Sequence, residues 1–293
     1  DQSEDHVSQR AKAKKQEILD IFSNYNNLHS EEELEELEDN LFTACQRGYT
    51  EIIKIYLNET IQNDTKDLSF KIDKTNKTAS LFKINNNIRE IVVPRTVKHK
   101  STEYLITSIT GTSQNIKTLK FVEDSAVKTI YLFAFLASDI EEIYFPASLK
   151  ELGVGWCCGI EKLNKIIISP MNGQFIFKDD KYLLGKSDEN EEEFNNLLFV
   201  GRDINEFFIP SNIKIISSYA FDHCESLTKV EIPTNSNLQT IEKYAFSLSN
   251  IKSIFIPSSV SIICKRAFES CKNLTKVEIQ PNSNLQTIEK YAF

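Results

Sequence analysis

Residues 227–246 read LTKVEIPTNSNLQTIEKYAF, and residues 274–293 read LTKVEIQPNSNLQTIEKYAF. The two stretches differ only where Pro233 and Thr234 become Gln280 and Pro281. They start 47 residues apart, a distance that divides into units of 24 and 23. Related units begin IREIVVP at Ile88, IKTLKF at Ile116, IEEIYFP at Ile140, LNKIII at Leu163, INEFFIP at Ile204 and IKSIFIP at Ile251. Each has the form apolar-x-x-apolar-x-apolar, often followed by Pro. In a short strand the side chains alternate, so Val230 and Ile232 face inward while Lys229 and Glu231 face outward. A proline directly after the strand has no N–H for the ladder and ends the pairing there. The second half of each unit carries another apolar set: Leu238, Ile241, Ala245 and Phe246, then Leu285, Ile288, Ala292 and Phe293. One unit cannot bury these faces alone, but a stack of units buries them continuously.

A strand signature at a period of 23–24 residues is that of a leucine-rich repeat, whose units run about 20–29 residues. The expected fold class is therefore α+β, a leucine-rich-repeat solenoid of short parallel strands behind an N-terminal helical cap. Residues 251–273, IKSIFIPSSVSIICKRAFESCKN, and residues 204–226, INEFFIPSNIKIISSYAFDHCES, carry a more specific wording. They resemble the BspA-like family, known from bacterial surface proteins and from surface antigens of parabasalid protists. The resemblance covers about residues 84–293 and implies a surface antigen or adhesin that binds host or matrix protein. The early units depart from the pattern, since GVGWCCGIEK puts Trp156 and Cys157 where Ala-Phe is expected. Between about residues 169 and 203 the repeat is interrupted. There FIFKDDKYLLG reads as a hairpin around a polar turn, KSDENEEE as a solvated loop and FNNLLFVGRD as another strand. The acidic loop lacks the spacing of a calcium-binding loop.

Residues 1–66 change character. AKAKKQEILDIFSNY and EEELEELEDNLFTACQRG have helical periodicity, and Ser30 with Glu33 forms a capping box. LFTACQRGYTEIIKIYLNE then resembles the helix pair of an ankyrin repeat, through Leu41, Ala44, Gly48, Glu51, Ile52, Ile53 and Leu57. The preferred reading is a small ankyrin-like helical cap over the apolar end of a solenoid that occupies residues 67–293. DLSFKIDKTNKTASLFKINNN forms a β-rich lead-in. The last unit stops at Phe293 with an apolar edge uncovered, so the array is expected to continue in the natural protein.

Composition narrows the function. A net charge of −8 argues against general nucleic-acid binding, which needs a basic stripe. No window approaches the roughly 18–20 apolar residues of a membrane span. The six cysteines form no CxxC pair, and none of the four histidines clusters with them at metal-ligand spacing. Cys224 and Cys271 each lie three residues after a phenylalanine, and Ile160 takes that slot in another unit, as a packing role predicts. There is no Gly-rich phosphate loop and no GxSxG. His223 beside Cys224 does not recur, because Ser270 stands at its counterpart. The reading is of a non-enzyme without cofactor or metal.

What remains is the outward strand surface. Its first column is Glu90, Thr118, Glu142, Lys165, Glu206, Lys229, Ser253 and Lys276. Its second column is Val92, Lys120, Tyr144, Ile167, Phe208, Glu231, Phe255 and Glu278. In a leucine-rich solenoid these would line one concave sheet, and the apolar members of the second column would form a protein-binding row. The expected partner is a host, matrix or cytoskeletal protein, at a cell-surface or secreted location. The competing reading is a cytoplasmic scaffold, favoured by the ankyrin-like segment and the absence of a disulfide framework. Sequons at Asn58, Asn63, Asn76 and Asn273 permit glycosylation if the protein is secreted.

Overall fold

Each unit closes on itself through two strands and a tight turn, and strands of neighbouring units pair side by side in three sheets on one face and two on the other. The computed structural model describes residues 68–84, 88–112, 115–136, 138–186 and 191–293. Strands with the apolar-x-x-apolar-x-apolar signature build the first face. They are β3 (Glu90–Val93), β6 (Thr118–Phe121), β8 (Glu142–Phe145), β10 (Lys165–Ile168), β14 (Glu206–Phe208), β16 (Lys229–Glu231), β18 (Ser253–Ile256) and β20 (Lys276–Ile279). A second face is built from β5 (Thr102–Ile109), β7 (Thr129–Ile130), β9 (Glu151–Leu152), β13 (Asn196–Val200), β15 (Ile215–Ile216), β17 (Thr240–Ile241), β19 (Ile262–Ile263) and β21 (Thr287–Ile288). Pairing along both faces is parallel, as stacking of like units in one chain direction requires.

The array begins with an antiparallel hairpin, β1 (Leu68–Asp73) and β2 (Thr78–Ile84), whose second strand runs parallel to β5. Strand β4 (Thr96–His99) adds antiparallel to β5. A second hairpin, β11 (Phe175–Lys178) and β12 (Tyr182–Gly185), folds back onto β13, which then rejoins the second face beside β15. Asp179 and Asp180 take the left-handed backbone that its tight turn demands.

This is a β-solenoid of about nine turns, and among the described residues it contains no helix. The α+β expectation is therefore corrected. Its helical cap and ankyrin-like segment fall on residues 1–66, which lie outside the described residues. Within the described repeats no helix joins the strands either. The Ala-Phe segment that closes each unit makes only isolated three-residue turns, such as Ala220 N–H to Ser217 O at 3.1 Å and Cys224 N–H to Phe221 O at 3.2 Å. Left-handed residues stand two positions before and two after the phenylalanine. They are Tyr219 and His223, Tyr244 and Leu248, and Arg266 and Ser270, all with φ between 54° and 63°. A right-handed helix cannot run through such positions. In the divergent unit Gly155 and Gly159, each at φ 66°, take the same two places around Cys157, which puts Trp156 and Cys157 in the Ala-Phe slots.

The non-glycine residues at these sites are held by what they stack against. The Tyr219 and Tyr244 rings lie parallel at 5.1 Å, and the Arg266 guanidinium sits over Tyr244 at 6.0 Å and Tyr291 at 5.4 Å. Phe221, Phe246 and Phe268 inside the solenoid and the half-exposed Phe293 at its end form a ladder with centroid spacings of 4.6, 5.0 and 4.8 Å. Backbone bonds lock the same turns together: Phe221 N–H to Ala245 O, Phe246 N–H to Ala267 O and Phe268 N–H to Ala292 O, each 2.8 Å. Glu242 reaches down one turn to accept the Ser218 N–H at 2.9 Å, and its repeat counterpart Glu289 accepts the Lys265 N–H. The Glu in each copy of TIEKYAF is thus retained to cap the turn beneath it. Phe246 is fully buried between two of its own kind. We expect Phe246→Ala to cost roughly 3–5 kcal/mol, read as a lowered midpoint in urea unfolding followed by far-ultraviolet circular dichroism.

Candidate binding surface

The strand alternation that buries Val230 and Ile232 leaves two columns of side chains on the outside of the first face. The structure brings half of the second column together without interruption. Val92 pairs with Lys120 across β3 and β6, and Tyr144 pairs with Ile167 across β8 and β10. Strands β6 and β8 are themselves neighbours, and the Lys120 ammonium lies 5.3 Å from the centre of the Tyr144 ring. Beyond the hairpin insert the column resumes as Phe208 beside Glu231 and Phe255 beside Glu278. The eight residues therefore form one run of four and two separate pairs. Val92 is 49% exposed and Phe208 59%, while Tyr144, Ile167 and Phe255 are half-buried by their neighbours.

Charges on this face are arranged to neutralise one another. Lys120 is paired with Glu90, and Lys165 reaches Glu142 on the adjacent strand at 2.6 Å. Lys229 is paired with Glu231, and Lys276 with Glu278 at 2.8 Å. The hydrogen bond it donates to Glu90 holds the Lys120 ammonium above its ordinary pKa, as the bonds to Glu142 and Glu231 do for Lys165 and Lys229. Exposed pairs of this kind add little stability, but they remove net charge from the surface around the apolar side chains. The sequence reading placed Glu90, Glu142 and Lys165 in the polar first column without recognising this lateral pairing. The signal was present in opposite charges one unit apart, such as Glu142 and Lys165.

The cysteine slot is core. Cys224 and Ile160 are both fully buried at equivalent places. Burial raises the thiol pKa of Cys157 to about 12 and that of Cys271 to about 11, and it raises that of Cys224 as well. His223 turns away from Cys224 and bonds Asp222, Nδ1 to Oδ2 at 2.9 Å, while the Cys224 sulfur lies 3.6 Å from a guanidinium nitrogen of Arg202. No Cys–His pair is assembled here.

The sequence matches the BspA type leucine rich repeat region in six copies, over residues 79–179 and 192–293. The chain belongs to this family. Solved structures similar to this BspA-type protein include a leucine rich cell surface protein of Faecalibacterium prausnitzii, at 15% identity over 78% of this chain and 98% of that one, TM-score 0.40. A leucine-rich repeat protein of Eubacterium ventriosum matches at 14% identity over 77% of this chain and 89% of that one, TM-score 0.38. The pneumococcal vaccine antigen PcpA matches at 14% identity over 75% and 82%, TM-score 0.33. A comparison with curated proteins finds no match. Among the described residues there is no group of three or more His, Cys, Asp or Glu placed to hold a metal ion, and no helix long and apolar enough to cross a membrane.

Adjacent residues of β14 separate surface from core in this BspA-type repeat. Phe207 is 6% exposed and packs edge-on to Phe221 at 5.4 Å, whereas Phe208 faces solvent. Phe207→Ala is expected to cost about 3–5 kcal/mol and Phe208→Ala to change stability by no more than about 0.5 kcal/mol, measured by urea denaturation. The buried thiols give a second check. Because the thiolate is the reactive form, Cys157 and Cys224 should resist iodoacetamide at pH 8 in the folded chain. Both should become labelled once denaturant is added, as followed by peptide mass spectrometry.

Proposed function

We propose that this chain is a non-catalytic protein-recognition molecule, a cell-surface antigen or adhesin that binds a host or matrix protein through its first strand face. The observation that carries the reading is the second outward column. Val92, Tyr144, Ile167, Phe208 and Phe255 stand on paired parallel strands while neighbouring Lys and Glu residues neutralise each other. Aromatic and aliphatic side chains held rigidly in the open are what protein interfaces use as anchors, because they lose little conformational freedom on binding. Lys120, Glu231 and Glu278 would form the polar surround of those anchors. Membership of the BspA-type family supports the same reading, given that family's resemblance to surface proteins.

The test uses immobilised fibronectin and laminin as matrix probes and measures binding of the whole chain by surface plasmon resonance. The combined Tyr144→Ser, Phe208→Ser and Phe255→Ser variant should lose at least about tenfold in affinity, since hot-spot side chains carry most of an interface's energy. Its circular dichroism should remain that of the parent. Unchanged affinity in the folded triple variant would remove the strand face from the reading. Surface biotinylation of intact source cells addresses location, and a chain wholly protected from the reagent would favour an intracellular scaffold instead.

A further inference from the structure

After the insert, neighbouring turns meet through a repeated contact: phenylalanine on phenylalanine, with the backbone N–H of one turn on the carbonyl of the next. Where the insert joins the later turns, the array cannot make this contact. After β13 the chain runs from Val200 through Gly201 and Arg202 straight into Ile204 and β14, with no Ala-Phe turn. The turn around Trp156 and Cys157 and the turn around Ala220 and Phe221 therefore have no intervening turn between them.

One side chain fills that gap. Arg202 is 4% exposed. Its Nε donates to Ile160 O at 3.0 Å and Nη2 to Cys157 O at 3.4 Å, both on the turn before the insert. Its Nη1 donates to Ala220 O at 3.0 Å and Nη2 to Tyr219 O at 3.4 Å, both on the turn after it. The Phe199 ring supports the guanidinium from 4.5 Å, and Asn164 Oδ1 accepts the Arg202 N–H at 2.7 Å. Ala220 O accepts the Val200 backbone N–H at 3.0 Å, and Arg202 Nη1 adds a second bond to the same oxygen. Asp222 makes the complementary contact. Its buried carboxylate reaches back across the gap to accept the Gly159 N–H at 2.9 Å and is held from its own side by His223. Gly155 keeps the gap narrow, because a Cβ there would lie 3.1 Å from the Tyr219 ring across it.

We propose that Arg202, Asp222 and His223 form a joint that couples the block of turns before the insert to the block after it. Stability in a repeat array is a sum of unit and nearest-neighbour terms. At this position the Phe133–Tyr219 ring contact at 6.2 Å supplies apolar packing, and two buried ionic side chains supply the hydrogen bonds that bridge both turns. Loss of either partner strands a desolvated charge. The joint lies between the run Val92–Lys120–Tyr144–Ile167 and the pairs at Phe208 and Phe255. On the reading that this face binds protein, the joint also fixes the alignment of its two parts.

The joint is sensitive to pH in a defined direction. Burial disfavours the His223 imidazolium, but the hydrogen bond and charge of Asp222 outweigh it and raise the His223 pKa. Arg202 opposes that charge from the segment after β13, and Glu161 supports it from the turn before the insert. A pKa raised in the folded state gives stabilisation that is full below the unfolded value, about 6.5, and is lost as pH rises through the folded one. The joint is therefore tightest in mild acid.

Hydrogen exchange with mass spectrometry on the full chain tests this without any binding partner, so its outcome is separate from that of the recognition reading. At pH 6 residues 116–168 and 227–279 should open together with similar protection. In Arg202→Met the two blocks should separate by at least about tenfold in protection factor, as independent cooperative units do. Arg202→Lys, whose single ammonium cannot fork across both turns, should separate them in the same sense. In the parent the separation should emerge as pH is raised above the His223 pKa, and His223→Gln should abolish that pH dependence. Equal loss of protection in both blocks, or no change in either, would overturn the proposal. If Arg202→Met fails to fold, Arg202→Lys and His223→Gln decide it on the same criteria.

Discussion

A step of about 4.8 Å between paired strands governs everything in this solenoid. Each turn is displaced from the last by that distance, so a side chain in one unit meets its counterpart in the next at contact range. Residues that tolerate their own kind at that step can recur, and residues that repel themselves cannot. Phenylalanine recurs four times in succession, from Phe221 to Phe293, because parallel rings at this separation are in favourable contact. Tyr219 recurs as Tyr244 for the same reason, and where Arg266 interrupts the series it lies between two tyrosine faces. On the outer columns the rule appears in reverse: Lys165 follows Glu142, so that one strand's charge is met by the opposite charge on the next.

The same step explains which parts of the fold were legible in the sequence. A repeat with self-stacking positions leaves its period in plain view, so IKSIFIP and LTKVEIP disclosed the strands, their inward faces and the burial of the cysteine slot. The backbone of the turn that closes each repeat was not legible, because Ser-Tyr-Ala-Phe and Glu-Lys-Tyr-Ala-Phe hold no glycine to mark a left-handed residue. What forbids a helix there is a left-handed backbone at Tyr219 and His223, enforced by hydrogen bonds to the next turn rather than by local propensity. GVGWCC was legible only in part. Its displaced Trp156 looked like a departure, whereas Gly155 and Gly159 preserve the backbone of the motif after its side chains have changed.

The surface divides in the same way. Alternation alone identified Val92, Tyr144, Ile167, Phe208 and Phe255 as outward, since period two is a local property. Their grouping depended on the hairpin insert, which separates Ile167 from Phe208 in the chain and leaves a run of four beside two pairs. The role of Arg202 had no local signature at all. A lone Arg in FVGRDINEF reads as a surface residue, and only the missing Ala-Phe turn, a feature of three-dimensional stacking, makes it the bridge between two sets of carbonyls.

The near-identity of residues 227–246 and 274–293 has a further consequence at the level of genes. The two copies share their Phe, Tyr and Glu contacts, while the unit between them has Arg266 and Cys264 where they have Tyr and Glu, so the module that fits its own neighbours is a pair of units. A gain or loss of 47 residues, two units at a time, would keep every one of these contacts in register without a compensating substitution. The segment around Arg202 has no such freedom. Its contacts are made once, between two unlike turns, so that segment must be inherited whole.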